Sequence, residues 1–192
     1  MTTTARPTDL GPLNGAALAA ALRRWRVINR VKQAAAAERL GVAQSTVSRW
    51  EAGGQPIDPG EARRLLALVA ARPDSAADAA LAMLVRESRR AVHLVCDTSH
   101  RLLAFSPARA ASFGVDAAGL IGRSLWRFSP PELIAVEAAL PAAGWYDDPC
   151  PAPIEFETGC NRSRIVPIRP SRCRWTRMTL SDGSAVRLVE TL

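Results

Sequence analysis

Gln33-Ala-Ala-Ala-Ala37-Glu-Arg-Leu40-Gly41-Val42-Ala-Gln44-Ser45-Thr46-Val47-Ser48-Arg49-Trp50-Glu51 carries more architectural information than any other stretch of this chain. Gln33 to Leu40 has the apolar spacing of a short helix, with Ala36, Ala37 and Leu40 turned inward. Gly41 then breaks it, because glycine adopts positive φ at little cost. Gln44 to Ala52 forms a second short helix with Val47 and Trp50 inward, ended by Gly53-Gly54. Two helices that cross near a right angle need a small residue at the crossing, and Ala37 supplies it. Leu40, Val42, Val47 and Trp50 close a small core. The polar side chains left outside are Gln44, Ser45, Thr46, Ser48 and Arg49, all with donors able to reach base edges or phosphates.

Helical spacing continues on both sides of this pair. A helix after Asn14 carries Leu18, Leu22 and Trp25 on one face, and Glu61 to Ala71 carries Leu65, Leu68 and Val69 before Pro73 stops it. Asp74 or Ser75 caps a fifth helix running to about Arg90, with Ala80, Leu81, Leu84 and Val85 apolar. Over its 192 residues the chain holds 25 Lys+Arg against 18 Asp+Glu, a formal charge of +7. Residues 1–91 hold 14 of those basic residues and 8 of the acidic ones, so the excess sits in the helical half. An N-terminal half this basic points to a polyanion, nucleic acid first. The 48% apolar content is that of a globular chain. No apolar run approaches the roughly 20 residues that span a bilayer, and Met1 to Leu10 lacks the layout of a signal peptide. A cytoplasmic protein without membrane partners is expected, and with it no disulfides among Cys96, Cys150, Cys160 and Cys173.

Residues 22–72 resemble the phage-repressor, Cro-like XRE type of helix-turn-helix. The matching words are Leu22-Arg-Arg-Trp-Arg26, Gln33, Ala37-Glu-Arg-Leu-Gly-Val42 and Gln44-Ser-Thr-Val-Ser-Arg-Trp-Glu-Ala-Gly53. The resemblance implies a third helix lying in the major groove of double-stranded DNA. It makes Gln44, Ser45 and Arg49 base readers and Gln33 a phosphate anchor, and it places Arg26 and Glu51 as a structural ion pair. Thr46 and Ser48 belong to the same DNA-binding face. Three positions depart from the pattern. Lys32 and Ala43 stand where Ser or Thr would cap the second and third helices, at about 1 kcal/mol each. Asn29-Arg30 replaces the glycine common between the first two helices.

From Ala91 the texture changes to short β-type runs: Val92–Cys96, Arg101–Phe105, Ile154–Thr158, Trp175–Leu180 and Ala185–Val189. Short helical pieces separate the second and third runs, at Pro107–Phe113, Asp116–Ile121 and Pro131–Leu140. Asp182-Gly183 is a two-residue hairpin signal between the last two. The expected product is a five-stranded antiparallel sheet with helices on one face. This order resembles the PAS sensor domain. The words that carry the likeness are Asp97-Thr-Ser-His-Arg-Leu-Leu-Ala-Phe-Ser-Pro-Ala-Arg-Ala-Ala-Ser-Phe-Gly114 and Leu120-Ile-Gly-Arg-Ser-Leu-Trp126, with Ser106 where an Asn is common. Such domains bind small molecules or dimerise. Phe105, Trp126, Phe128 and Phe156 are the candidate lining of a ligand pocket. His93 alternates with Val92 and Leu94 and is expected on the surface, and His100 is expected as a turn residue.

The cysteines and the two histidines lack metal-site spacing, and no cofactor is implied. Phosphate-binding loops and nucleophile-elbow words are missing, so no catalytic residue is named and no enzyme is expected. The organisation read from the sequence is a tail over 1–13, an all-α helix-turn-helix domain over 14–73, a linker helix over 74–90 and an α+β PAS-like domain over 91–192. The function expected is a DNA-binding transcription regulator, as a homodimer, modulated through its second domain by a small ligand or a protein partner. The alternative is an interaction module whose second half only dimerises or recruits a partner and binds no ligand.

Overall fold

The computed structural model describes residues 15–192, which fall into two compact units that meet in sequence between Ala70 and Ala71. The expected tail over 1–13 lies outside the described residues.

The first unit is all-helical: α1 (Gly15–Ile28), α2 (Gln33–Leu40), α3 (Gln44–Glu51) and α4 (Pro59–Val69). Leu18, Leu22, Leu40, Val47, Trp50 and Leu65 form its core. Ala36 and Ala37 are buried, small enough for α2 and α3 to approach closely. Gly41 takes φ 68° and ends α2, and the next amide, Val42 N–H, donates to the Ala37 carbonyl at 3.0 Å. Lys32 and Ala43 occupy the N-cap positions of α2 and α3 without a side-chain cap bond. Arg30 holds the left-handed position of the α1–α2 turn at φ 54°. α4 begins two residues before the expected Glu61. The cause is a capping box, in which the Asp58 carboxylate accepts from the Gly60 and Glu61 amides at 2.7 and 3.0 Å.

The second unit contains α5 (Ala76–Glu87), β1 (Val92–Cys96), β2 (Leu102–Phe105), α6 (Pro107–Ala110), α7 (Pro131–Ala139), β3 (Ile154–Thr158), β4 (Ser171–Thr179) and β5 (Ala185–Thr191). Two short 3-10 turns, Ala117–Leu120 and Trp126–Phe128, stand between α6 and α7. The five strands form one antiparallel sheet in the order β2-β1-β5-β4-β3. Gly183, at φ 83°, turns the β4–β5 hairpin as Asp182-Gly183 predicts.

Two features differ from the sequence reading. β4 starts at Ser171 rather than Trp175, because Arg172 and Arg174 sit opposite the acidic β3 and salt-bridge Glu155 at 2.8 and 2.5 Å. Helices also cover both faces of the sheet. α5, inside the segment 74–90 expected as a linker, packs Ala82 and Val85 against Val92, Leu94, Cys96 and Val186. Asp78 fastens it by accepting from the Ser181 amide and hydroxyl at 3.0 and 2.6 Å. Because strand side chains alternate, His93, Val95, Arg187 and Val189 lie on the opposite face.

Candidate nucleic-acid interface and internal cavity

In the first unit Val47 and Trp50 anchor α3, and its remaining surface is polar. Gln44, Ser45 and Arg49 are exposed, while Thr46 and Ser48 are half-buried. A chain of hydrogen bonds orders one edge of this surface. Arg26 forks onto Glu51, with Nε to Oε1 at 2.6 Å and Nη2 to Oε2 at 2.5 Å, and Arg26 Nη1 donates to the Val31 carbonyl at 3.0 Å. Gln33 Nε2 donates to Glu51 Oε2 at 3.0 Å, and Gln44 Nε2 donates to Gln33 Oε1 at 3.0 Å. A carboxylate only accepts, so the direction of every bond in the chain follows from Glu51. Gln33 must turn its amide nitrogen inward and its oxygen toward Gln44. Gln44 is then left with its own oxygen pointing onward as an acceptor. Burial pushes the Glu51 carboxyl upward, but the Arg26 and Gln33 bonds outweigh it and hold the group below its ordinary range. Arg49 Nε donates to the Ser45 carbonyl at 3.2 Å, one turn back, which steers the guanidinium along the exposed face.

The second unit holds a cavity of about 450 Å³, partly open to solvent, between the sheet and its short helices. Val95, Phe113, Leu125, Trp126, Val166 and Val189 contribute its apolar wall, and His93, His100, Arg109 and Arg187 are its polar residues of chief interest. One flank is flat, because the rings of His100 and Trp126 stack at 4.4 Å with 18° between planes. Arg187 is buried between Trp175, 4.1 Å from its ring centre, and Trp145 at 5.4 Å. Its charge is met twice, by Asp97 (Nε to Oδ1, 2.7 Å) and by Glu137 (Nη1 to Oε2, 2.7 Å). Asp97 also accepts from Arg177 at 3.2 Å and Trp145 at 3.3 Å, and Glu137 faces His100 at 3.2 Å. Burial would raise the Glu137 carboxyl, but Arg187 and His100 together hold it far below the usual carboxylate range.

Of the four aromatic residues expected to line a pocket, only Trp126 does so. Phe105 meets Phe113 edge to face at 6.5 Å, Phe156 meets Trp175 the same way at 4.7 Å, and Phe128 is packed among Leu120 and Val166. These three rings are consumed by core packing. His93 is half-buried rather than on an open surface. Its Nδ1 is buried in the cavity wall, because the α5 side of the sheet takes Val92 and Leu94 and leaves His93 to face the short helices. His100 does sit in a turn, at φ 55°, but its ring is buried against Trp126 and Glu137. Arg109 and Arg187 were missed as cavity residues. For Arg187 a signal existed, since it shares the i, i+2 alternation of Val189. Cys96 and Cys173 are buried and Cys150 and Cys160 exposed, with no disulfide among the described residues. Among the described residues no cluster of His, Cys, Asp or Glu has metal-binding geometry, and no helix is long and apolar enough to cross a membrane.

No curated protein matches the chain. Solved structures similar to it include the PAS domain of an HTR-like protein from Haloarcula marismortui, at 17% identity over 60% of this chain and 90% of that one, with a TM-score of 0.44. The PAS domain of a LuxR-family transcriptional regulator from Burkholderia thailandensis, in complex with ethanol, is 17% identical over 57% of this chain and 95% of that one, with a TM-score of 0.40. A sensory box sensor histidine kinase from Vibrio cholerae is 10% identical over 60% of this chain and 91% of that one, with a TM-score of 0.38. A family model described as a helix-turn-helix domain matches residues 17–80. That span holds the Arg26–Glu51–Gln33–Gln44 chain and the polar face of α3, and it is a helix-turn-helix domain, the class of module that places a short helix against DNA.

Proposed function

We propose that this chain is a sequence-specific transcription regulator of the XRE type that binds operator DNA as a homodimer and is modulated by a small ligand in its second unit. The observation that carries the reading is the ordered outer face of α3. Gln44 is oriented through Gln33 by the Arg26–Glu51 pair, and Ser45 and Arg49 stand exposed beside it. Gln44, Ser45 and Arg49 read bases, Thr46 and Ser48 support them along the same helix, and Gln33 meets a phosphate through its backbone N–H at the first turn of α2. A pair of such helices reads half-sites roughly 34 Å apart. The cavity of about 450 Å³ supports a ligand over a purely structural second unit, because it has the size of a small-molecule site and a largely apolar wall. The competing reading, a module that only recruits partners, draws on the exposure of Leu84 and Met83 on α5. Selection of bound sequences from random duplex DNA by the full chain tests the first reading. A motif with two half-sites at one-turn spacing is expected, and a failure to enrich any motif overturns it.

A further inference from the structure

Three arginines line the cavity; Arg169 is exposed, and the charges of Arg187 and Arg109 are met differently. Arg187 faces the carboxylates of Asp97 and Glu137. Arg109, on α6, faces none among the described residues. Its Nη2 donates to the Ala91 carbonyl at 2.7 Å and the Thr191 hydroxyl at 2.6 Å, while its Nε is buried without a hydrogen bond. A buried cation with an orphaned donor is costly unless an acceptor meets it. Cys173 lies close enough to act on Arg109, but burial pushes that thiol up to about 11, so it is uncharged at neutral pH and supplies no counter-ion. His93 stands near enough for the Arg109 charge to oppose its protonation, and its Nδ1 is likewise buried without a partner. Among the described residues no Asp or Glu lines the cavity. Val95, Phe113, Trp126, Val166 and Val189 make the apolar part of the wall, alongside the hydroxyls of Ser112, Thr158 and Ser171.

We propose that the cavity binds a small apolar or aromatic monocarboxylic acid, its carboxylate accepting from Arg109 Nε and His93 Nδ1–H and its body lying against Val95, Trp126 and Val189. This inference rests on the reading of the second unit as a ligand-responsive domain and names the ligand class. A carboxylate matches the donors on offer, because its two oxygens meet one guanidinium nitrogen and one imidazole nitrogen. A phosphate ester would bring a third terminal oxygen, one more than these two nitrogens meet. Acetate would satisfy the nitrogens but leave the apolar wall uncovered.

Calorimetry on the full chain tests this with phenylacetate and octanoate, their neutral amides, phenyl phosphate and acetate. At least one of the two larger carboxylates is expected to bind ten times or more as tightly as its amide, and more tightly than phenyl phosphate or acetate. Arg109→Gln is expected to lower that affinity by about 10- to 100-fold, as befits a charge-assisted hydrogen bond. Because Arg109 also ties α6 to Ala91 and Thr191, the wild-type protein gives a second readout. The ¹⁵N resonance of Arg109 Nε should shift on addition of the carboxylate and stay in place with the amide. Equal binding of amide and acid, tighter binding of the phosphate ester, or no binding by either larger carboxylate overturns the inference. Amides that bind as well as the acids and shift operator affinity would leave the ligand-responsive reading standing while removing the acid. Loss of the operator motif in the DNA selection would instead remove the regulator reading without touching the carboxylate result.

Discussion

Each of the two units builds an ionic chain around an arginine, and each uses it for a different purpose. In the first, Arg26 and Glu51 sit half-buried at the edge of a helical core, and their order is passed outward through Gln33 to the exposed Gln44. In the second, Arg187, Asp97 and Glu137 are buried inside the fold, and their order is passed to the wall of a cavity. The first arrangement presents chemistry on a convex surface, where a polymer can be read. The second holds it in a concavity, where only a small molecule fits. The depth of the two networks separates their energies as well. Water screens the outer chain, while the inner one stands in a medium where a lost partner leaves a bare charge.

The largest difference between the units should appear on replacing Arg187. Arg187→Ala strands Asp97 and Glu137 in the interior and should cost the second unit about 3–5 kcal/mol. Hydrogen exchange read by mass spectrometry should show protection lost across β1, β4 and β5 and kept in α1–α4. A loss below about 1 kcal/mol would mean that the inner network is decoration. Arg49→Ala should do the reverse, leaving exchange unchanged everywhere while removing about 1–3 kcal/mol of specific DNA binding and relaxing preference at one base position. Unchanged affinity and motif in a competition assay would take Arg49 off the interface. Glu51→Ala falls between the two. It strands the half-buried Arg26 and frees Gln33 and Gln44, so the first unit should lose about 1–2 kcal/mol. Base preference should also blur at the position proposed for Gln44. Binding lost with melting untouched would contradict the structural role of the pair.

The two units were unequally legible in the sequence, and the reason is distance along the chain. Ala37, Gly41, Val47 and Trp50 lie within fourteen residues of one another, so their spacing alone specifies two crossing helices and the polar face left over. Even the weak points were visible: Lys32 and Ala43 are poor caps on the page, and both helices start without a side-chain cap. The cavity is assembled from His93, Arg109 and Arg187, which no local pattern connects. Alternation along β1 separates Val92 and Leu94 from His93 and Val95, but it does not say what covers either side. With helices on one face only, His93 would belong in solvent; with α5 behind the sheet, it is half-buried and its Nδ1 is enclosed. The phenylalanines misled for a related reason. A large ring fits a core as well as a pocket, and Phe105, Phe128 and Phe156 found partners in the core. Gly114 carries a constraint of the same long-range kind, since a Cβ there would overlap the Arg164 carbonyl.

A last and smaller contrast comes from protons. Both histidines of the chain, His93 and His100, lie in the second unit, so mild acid addresses that unit alone through imidazole. Burial first, and the charge of Arg109 second, hold His93 well below its ordinary value of 6.5 in the folded state. Below that value the unfolded chain takes up a proton that the folded chain refuses. Stability therefore falls as the pH falls, by about 1 kcal/mol at one unit below the unfolded value. The test is a difference: the wild type against His93→Asn, whose side chain carries no ionisable group. Urea midpoints of the second unit should diverge between pH 6.5 and 5.5, with the wild type losing more. Below about 4.5 both proteins should weaken together, as the unfolded chain takes up at Glu137 a proton that Arg187 and His100 keep off it in the folded state. Parallel profiles over the upper range would mean that the His93 ring nitrogens meet water in the folded protein, and the burial described for Nδ1 would be wrong. A wild-type loss that disappears when a carboxylate ligand is added would tie the same imidazole to the bound anion, because a negative charge at Nδ1 restores the affinity for a proton that burial and Arg109 remove.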